Sequence, residues 1–225
     1  MTILVLAEHN NIDIKSSTLN TISAASQIDQ DIHVLVTGHE CEELAKDISK
    51  CEKVSKVYLA NNEKLKNPIA ENIEPIVVSL ANNYSHIMAP ATTFGKNIFP
   101  RIAVKLDIAQ VSDVIKIISS DTFMRPIYAG NAIATVKSND KIKVVTVRPT
   151  SFDPVETSGG KEQVENISYD NDSSSVEFID REESQSERPE LSTARVVISG
   201  GRGLQSAENF KLLNEIADKL NAAVG

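Results

Sequence analysis

The sharpest chemical signal in this sequence is a glycine-rich turn near its C-terminal end, Gly200-Gly201-Arg202-Gly203. Gly201, Gly203 and Ser206 stand at the spacing of a GxGxxG dinucleotide motif, with serine in the last place. Glycines let a backbone approach a phosphate, and a helix that follows them offers free N–H groups and a positive dipole end. Arg202 could add a two-pronged phosphate contact. The same residues also fit a plain strand-to-helix turn with a solvated arginine, so the motif alone leaves both interpretations open.

The remaining chemistry-bearing residues predict no catalytic site and no metal site. The histidines at positions 9, 33, 39 and 86 form neither a close pair nor an HExxH motif, and GxSxG is absent from the sequence. Cys41 and Cys51 lie ten residues apart without a histidine at ligand spacing, which indicates free thiols in a reducing compartment. Asp107 and Asp113 could form a carboxylate pair, although surface charge is the better interpretation. This pattern favours a carrier or a binding subunit over an enzyme.

The composition restricts the choice of partners. A net charge of -8 argues against nucleic acid and against an anionic membrane surface, because both require concentrated lysine and arginine. No apolar run reaches the roughly 18 residues that a membrane-spanning helix needs. The N-terminus enters an apolar strand at once, without a recognisable leader. We therefore expect a cytosolic protein, or a mature chain whose leader has been removed.

The first half of the sequence alternates between two kinds of pattern. Short apolar runs predict strands at 3–7, 32–36, 54–60 and 86–89, and helical spacing predicts helices at 16–28, 42–50, 70–82 and 94–106. Such βαβ units give a parallel sheet with helices on both faces. Pro75 is compatible with its helix only in the first turn, and Pro100 is expected to bend the next helix.

The pattern changes after the fourth helix. Strand-like runs at 114–118, 127–136 and 142–147 follow without helices between them, and Ser138-Asn139-Asp140 has the composition of a hairpin turn joining the last two. The parallel sheet is therefore predicted to acquire an antiparallel region. Gly130, within the second run, is interpreted as a bulge or a close backbone contact. Gly95 begins a helix at the carboxyl edge of the sheet, where either a small anion or a plain helix start fits.

A domain boundary is predicted in the polar segment that follows. Residues 164–168 and 176–179 could still be edge strands, whereas 181–190 contain almost no apolar residues and are typical of a linker. A new strand at 194–199 then leads through the glycine turn into a helix at 206–224, with Ser206 as its N-cap. One strand and one helix cannot bury the apolar stripe of that helix, so we expect a second domain that begins here and is not completed.

Several stretches together resemble the alpha subunits of electron-transfer flavoproteins, collinearly from residue 3 to residue 225. The matching words are Phe94-Gly95-Lys96-Asn97 with Pro100-Arg101, Asp121-Thr122-Phe123 with Arg125, Ile127-Tyr128-Ala129-Gly130-Asn131-Ala132, Val147-Arg148 with Thr150-Ser151-Phe152, Arg188-Pro189-Glu190-Leu191, and Val196-Val197-Ile198-Ser199-Gly200-Gly201-Arg202-Gly203-Leu204 followed by Ser206, Glu208, Asn209 and Phe210. So many matching stretches in the same order make the resemblance specific, whereas the glycine turn alone would not identify a family.

The resemblance implies a fold and a cofactor. Residues 1–188 would form an α/β domain, an adenine-nucleotide-hydrolase-like Rossmann variant with an antiparallel extension, and 189–225 the first strand and helix of a Rossmann-like FAD domain. It implies a heterodimer with one FAD and with a beta subunit that carries AMP. In this family the arginine of the glycine turn contacts FAD, which assigns cofactor contacts to Arg202 and to the turn-shaping Gly201 and Gly203.

The resemblance also implies a role. Such a carrier accepts electrons from flavin dehydrogenases, such as acyl-CoA dehydrogenases, and passes them to a membrane quinone oxidoreductase. It would work in the bacterial cytoplasm or, in a eukaryote, in the mitochondrial matrix. Nothing in the resemblance implies binding to nucleic acid or insertion into a membrane.

The sequence departs from the family at its end. Family members continue beyond Ala222-Ala223-Val224-Gly225 with a Ser-Arg pair and with loops that hold the flavin ring and ribityl chain. Most of the FAD site is therefore expected to be absent from this chain. Two other functions stay open: a truncated product without flavin, and a nucleotide-binding α/β module acting through the sheet edge near Gly95.

Overall fold

The computed structural model describes residues 1–169, 176–180, 188–189, 191 and 194–225. The chain divides into two compact units, Met1–Phe178 and Ile179–Gly225, called here the first and the second unit. The elements of the first unit, in chain order, are β1 Thr2–Leu6, α1 Ser16–Ser26, β2 Asp31–Gly38, α2 Glu42–Lys50, β3 Val54–Asn61, α3 Ala70–Leu80, β4 His86–Pro90, α4 Thr93–Lys105, β5 Gln110–Val114, β6 Lys116–Ile117, β7 Thr122–Ile127, β8 Ala132–Lys137, β9 Lys143–Val147 and β10 Val164–Asn166.

The centre of the first unit is a seven-stranded sheet with the order β10-β3-β2-β1-β4-β9-β5. Every pairing in it is parallel. The predicted βαβ architecture is therefore confirmed. The edge strand predicted at 164–168 is present as β10, whereas residues 176–179 form no strand.

Helices cover both faces of this sheet, which explains why the strands lack a clean alternation of apolar and polar residues. Ile3 and Val5 of β1 point to the core beneath α1 and α2, whereas Leu4 and Leu6 point to the core beneath α3 and α4. All four side chains are fully buried. Two apolar layers thus hold the sheet in place, one on each face.

Helix α3 begins at Ala70, so Pro75 lies in its second turn and not in the first turn that the sequence was expected to require. A proline inside a helix costs about 3 kcal/mol. Ile73, Ile76 and Val77 of the same helix are buried, and each contributes roughly 1.5–3 kcal/mol. Burial of this face therefore outweighs the lost hydrogen bond, and the helix continues to Leu80.

The predicted antiparallel region is present as a separate three-stranded sheet, but two details of its prediction are wrong. Among the residues that the structure describes, β6, β7 and β8 pair only with one another, and β9 returns to the parallel sheet between β4 and β5. The residues Ser138-Asn139-Asp140 therefore do not join a hairpin. The hairpin turn lies instead at Tyr128–Gly130, where the sequence predicted a continuous strand.

Gly130 is accordingly the end of a hairpin turn rather than a bulge or a close contact. Its φ is +91°, and an added Cβ would meet no atom within 4 Å. Tyr128 and Ala129 before it also have positive φ, at 50° and 53°. Three successive left-handed residues reverse the chain here, an arrangement that non-glycine residues rarely adopt.

The second unit is a small βαβ structure made of β11 Val197–Ile198, α5 Phe210–Leu220 and β12 Ala223–Val224. The two strands pair in parallel, with Val197 opposite Ala223. The helix is shorter than the predicted 206–224, because a 3-10 turn at Ala207–Asn209 precedes it and the left-handed Asn221 ends it. Ser206 precedes that 3-10 turn without making a side-chain capping bond.

The second unit leaves part of its helix uncovered. Leu212 and Leu220 of α5 are 60% and 56% exposed, whereas Ala217 is fully buried. Some of the apolar surface of α5 is therefore exposed. In the part of the chain that the structure describes, no helix is long and apolar enough to cross a membrane.

Candidate functional site

The glycine turn lies at the carboxyl end of β11, between that strand and α5. Because β11 and β12 are parallel, this is the edge at which parallel α/β sheets bind their ligands. The turn continues as a 3-10 turn at Arg202–Leu204. The sequence therefore predicted the position of the turn correctly, although it did not predict β12.

The three glycines of the turn have different reasons to be glycine. A Cβ on Gly200 would lie 2.3 Å from Leu204 Cδ1 and 2.6 Å from Leu213 Cδ1, so a larger residue here would displace the ends of two leucine side chains. A Cβ on Gly201 or Gly203 would meet nothing within 4 Å. Both of these residues are exposed, so their backbone is open to a ligand. Gly200 was not among the predicted contact residues, and only the packing of the turn reveals its role.

Arg202, between the two open glycines, is solvent-exposed. A groove of about 620 Å³ runs from Gly203 along the first turns of α5. Its lining includes Glu208 and Glu215 as well as Lys211. Two carboxylates make this groove unsuitable for a diphosphate, so the backbone at the two open glycines, with Arg202, is the better place for an anionic cofactor group.

Arg188 ties the start of the second unit to its helix. Its Nη1 donates to Asn214 Oδ1 at 2.7 Å, and its Nη2 donates to Asp218 Oδ1 at 2.6 Å. Arg188 and Pro189 belong to one of the stretches that resemble the flavoprotein family. The first residue of that stretch thus binds α5 through hydrogen bonds. This arrangement positions the helix behind the glycine turn.

Gly95 near the start of α4 is explained by packing. A Cβ at this position would lie 2.0 Å from the carbonyl oxygen of Pro90, at the end of β4. The first turn of α4 thus lies directly against the strand. Of the two interpretations of Gly95, the plain helix start accounts for the glycine without any bound anion.

His86 has a structural contact at each ring nitrogen. Its Nδ1 lies 2.9 Å from Ser85 Oγ, and its Nε2 lies 2.6 Å from the carbonyl oxygen of Ser120. The second contact joins the start of β4 to the turn between β6 and β7. Its ring also packs edge-to-face against Phe123 at 6.5 Å. Burial lowers the pKa of His86, so a neutral ring at this junction is favoured.

His9 lies in the loop that follows β1. Its Nδ1 accepts the backbone N–H of Asn11 at 3.0 Å. Burial lowers its pKa to about 4, against a smaller opposing effect of a backbone hydrogen bond at Thr37. Cys41 and Cys51 are free, as the sequence predicted. Both are buried, and burial raises the pKa of each thiol to about 11.

The two aspartates considered as a carboxylate pair have separate environments. Asp113 lies at a bulge near the end of β5 with φ +60°, and its carboxylate binds the Arg148 guanidinium through two hydrogen bonds, Nε to Oδ1 at 3.0 Å and Nη2 to Oδ2. Asp107 follows α4 with φ +54°. Asp113 is therefore half of an ion pair rather than a lone surface charge.

Comparison with known proteins agrees with this architecture. The family model described as the electron transfer flavoprotein domain matches residues 3–172, and the model described as the electron transfer flavoprotein FAD-binding domain matches residues 190–225. The parallel sheet of the first unit and the strand–glycine turn–helix–strand of the second define an α/β protein of the Rossmann-like class. The chain belongs to the electron transfer flavoprotein family, and it is similar to alpha subunits of that family.

Three relatives show the extent of the similarity. The electron transfer flavoprotein subunit alpha of Pseudomonas aeruginosa is 51% identical over 225 residues, which cover 100% of this chain and 73% of that protein. The mitochondrial alpha subunit of Dictyostelium discoideum is 46% identical over 240 residues, which cover 100% of this chain and 68% of that protein. The alpha subunit of Paracoccus denitrificans is 43% identical over 225 residues and is covered to 73%. The resemblance inferred from the sequence is confirmed.

Proposed function

We propose that this chain is the alpha subunit of a heterodimeric electron carrier and that it contacts FAD through Gly201, Arg202 and Gly203. Residues 1–188 are its N-terminal α/β domain, and residues 189–225 begin its FAD-binding domain. The observation that best supports this proposal is the open glycine turn at the carboxyl end of β11. This turn lies inside the segment that matches the FAD-binding family model.

The residues present fit one part of FAD. Two accessible backbone positions and one exposed guanidinium suit the negatively charged diphosphate. The relatives are longer than this chain, and the remaining contacts would come from their additional residues and from the beta subunit. When bound, FAD supplies the carrier chemistry through its isoalloxazine ring.

The wider role follows from the family. The proposed donors are flavin dehydrogenases, such as acyl-CoA dehydrogenases, and the proposed acceptor is a membrane quinone oxidoreductase. The heterodimer would hold one FAD, with AMP in the beta subunit, in the bacterial cytoplasm or the mitochondrial matrix. Such a protein acts as a carrier rather than an enzyme, because the chemistry it needs is electron transfer by the flavin. The alpha-subunit names of the bacterial and mitochondrial relatives support this role.

The test is flavin affinity in the complete heterodimer, prepared by co-expression of the full-length subunit with its beta subunit. Arg202→Ala should raise the dissociation constant of FAD at least about 10-fold, because a hydrogen bond to a charged group contributes roughly 1.5–3 kcal/mol. Arg195→Ala is the matched control, since it removes the same charge from an exposed residue that precedes β11, at the opposite end of the strand from the glycine turn. FAD fluorescence during dialysis measures the loss.

Two results would contradict the proposal. A complete heterodimer that purifies without flavin absorbance would exclude the carrier role. Equal FAD affinity in Arg202→Ala and the wild type would exclude the assignment of the glycine turn while leaving the carrier role intact.

A further inference from the structure

The strand order of the first unit creates a topological switch point between β1 and β4. From β1 the sheet grows through β2 and β3 in one direction, and from β4 it grows through β9 and β5 in the other. The chain leaving β1 enters α1 on one face, and the chain leaving β4 enters α4 on the opposite face. In open α/β sheets the crevice between two such strands, at their carboxyl ends, is where ligands bind.

In this protein a side chain of the chain itself lies at that point. Glu8 follows β1 by two residues and is half-buried. Its Oε2 accepts the hydroxyl of Ser17 at 2.9 Å and the hydroxyl of Thr92 at 2.8 Å. Ser17 belongs to the first turn of α1, and Thr92 is the residue directly before α4. One carboxylate oxygen therefore links the starts of two helices that lie on opposite faces of the sheet.

The backbone of Glu8 is held as firmly as its side chain. Its N–H donates to Thr18 Oγ1 at 2.8 Å, and its carbonyl accepts the same hydroxyl at 3.0 Å. The carbonyl also accepts the N–H of Lys15 at 3.2 Å. Ser17 and Thr18 are 1% and 0% exposed, so these hydroxyl partners are themselves buried.

Neither helix has an anion of its own at this end. The N-cap residues of α1 and α4, Lys15 and Thr92, make no side-chain capping bond, and neither helix carries an acidic residue in its first turn. A helix N-terminus favours a negative charge, because its first N–H groups are unpaired and its dipole is positive there. Glu8 supplies that charge from outside both helices.

We propose that Glu8 is a resident anion at this switch point, which holds α1 and α4 together and excludes the phosphate of a nucleotide from the first unit. Its carboxylate has the charge and the hydroxyl partners that a ligand phosphate would have in this crevice. A second anion beside it would face electrostatic repulsion, and its place at both helix ends is already taken. This proposal does not depend on the proposed FAD site.

The test compares thermal unfolding of the full chain with and without Glu8. Glu8→Ala should lower the unfolding midpoint by about 5 °C, because the charge at two helix ends and the hydrogen bonds to the Ser17 and Thr92 hydroxyls are lost. Sodium acetate or phosphate should then recover at least half of this loss relative to sodium chloride at equal ionic strength. The wild type should gain less, because it shows only the general stabilisation that such anions give a folded protein. Glu156→Ala is the matched control, since Glu156 is exposed and lies outside the helices, so its midpoint should not move.

Glu8→Gln keeps the shape and an acceptor oxygen but removes the charge, so it covers the case in which Glu8→Ala does not fold. Its midpoint should lie below that of the wild type and should respond to acetate no more than the wild type does, because the side chain still fills the crevice. The proposal is overturned if Glu8→Ala and Glu8→Gln are as stable as the wild type. It is also overturned if acetate or phosphate stabilises a folded Glu8→Ala no more than it stabilises the wild type.

Discussion

Replacing Gly95 with alanine should destabilise the first unit, because the added methyl group has no room. Its carbon would lie 2.0 Å from the carbonyl oxygen of Pro90. Ordinary C···O contacts begin near 3.3 Å, so α4 and the end of β4 would have to separate by more than about 1 Å. Both partners in this contact are backbone, so no flexible side chain can move away instead.

The magnitude follows from two opposing terms. Overpacking of a dense interior costs about 1–3 kcal/mol, and a clash with backbone belongs at the upper end of that range. Alanine in a helix gains at most about 1 kcal/mol over glycine. We therefore expect a loss of about 2 kcal/mol in the free energy of unfolding. For a domain of this size, that loss corresponds to roughly 4–8 °C in the unfolding midpoint.

Tyrosine emission during urea unfolding measures this loss. The chain has four tyrosines and no tryptophan, and all four tyrosines lie in the first unit. Their emission therefore reports on that unit alone. Asn97→Ala is the control, because Asn97 is an exposed residue in the same helix and its removal should change stability by less than about 0.5 kcal/mol. A Gly95→Ala variant as stable as the wild type would refute the packing explanation and would reopen the anion interpretation of this turn.

Three further predictions concern titration and charge. Burial lowers the pKa of His9 from 6.5 to about 4, so between these pH values the unfolded chain binds a proton that the folded chain does not. The free energy of unfolding should therefore fall by up to about 3 kcal/mol from pH 6.5 to pH 4. His9→Gln should remove this dependence of stability on pH. Burial raises the pKa of Cys41 and Cys51 to about 11 from an ordinary value of 9. Maleimide labelling at about pH 8 should therefore be on the order of 100-fold slower in the folded protein than in urea. Equal labelling rates would contradict this prediction. Asp113→Asn breaks the partly exposed pair with Arg148 and should cost at most about 1 kcal/mol, with a smaller loss in high salt; a loss that salt does not change would show that the charge is not the cause.

Elements with strong periodicity could be predicted from the sequence, and those that depend on unusual backbone geometry could not. Helix α2 has the predicted bounds Glu42–Lys50, with acidic residues in its first turn and a lysine in its last. The hairpin at Tyr128–Gly130 was missed because tyrosine and alanine give no signal for a left-handed backbone. The strand at 143–147 was predicted, but its neighbours were not, since pairing depends on contacts distant in sequence.

The same limit applies to the candidate site. The glycine turn was visible as a local motif, because its residues are adjacent in the sequence. Which glycine packs and which is open depends on Leu204 and Leu213, and a motif does not contain that information. Glu8 meets Thr92 across 84 positions, so its role has no local signature at all.

The place of β9 in the parallel sheet has a consequence for synthesis of the chain. Strand β5 is made about thirty residues earlier than β9, yet among the described strands its one partner in the parallel sheet is β9. On the ribosome, β1 to β4 can assemble while β5 still has no partner and β4 presents an open edge. Exposed strand edges of this kind pair readily with other chains. A nascent chain that stalls before Lys143 would therefore be prone to aggregation. Synthesis of the five residues of β9 covers the open edge of β4 and gives β5 its partner.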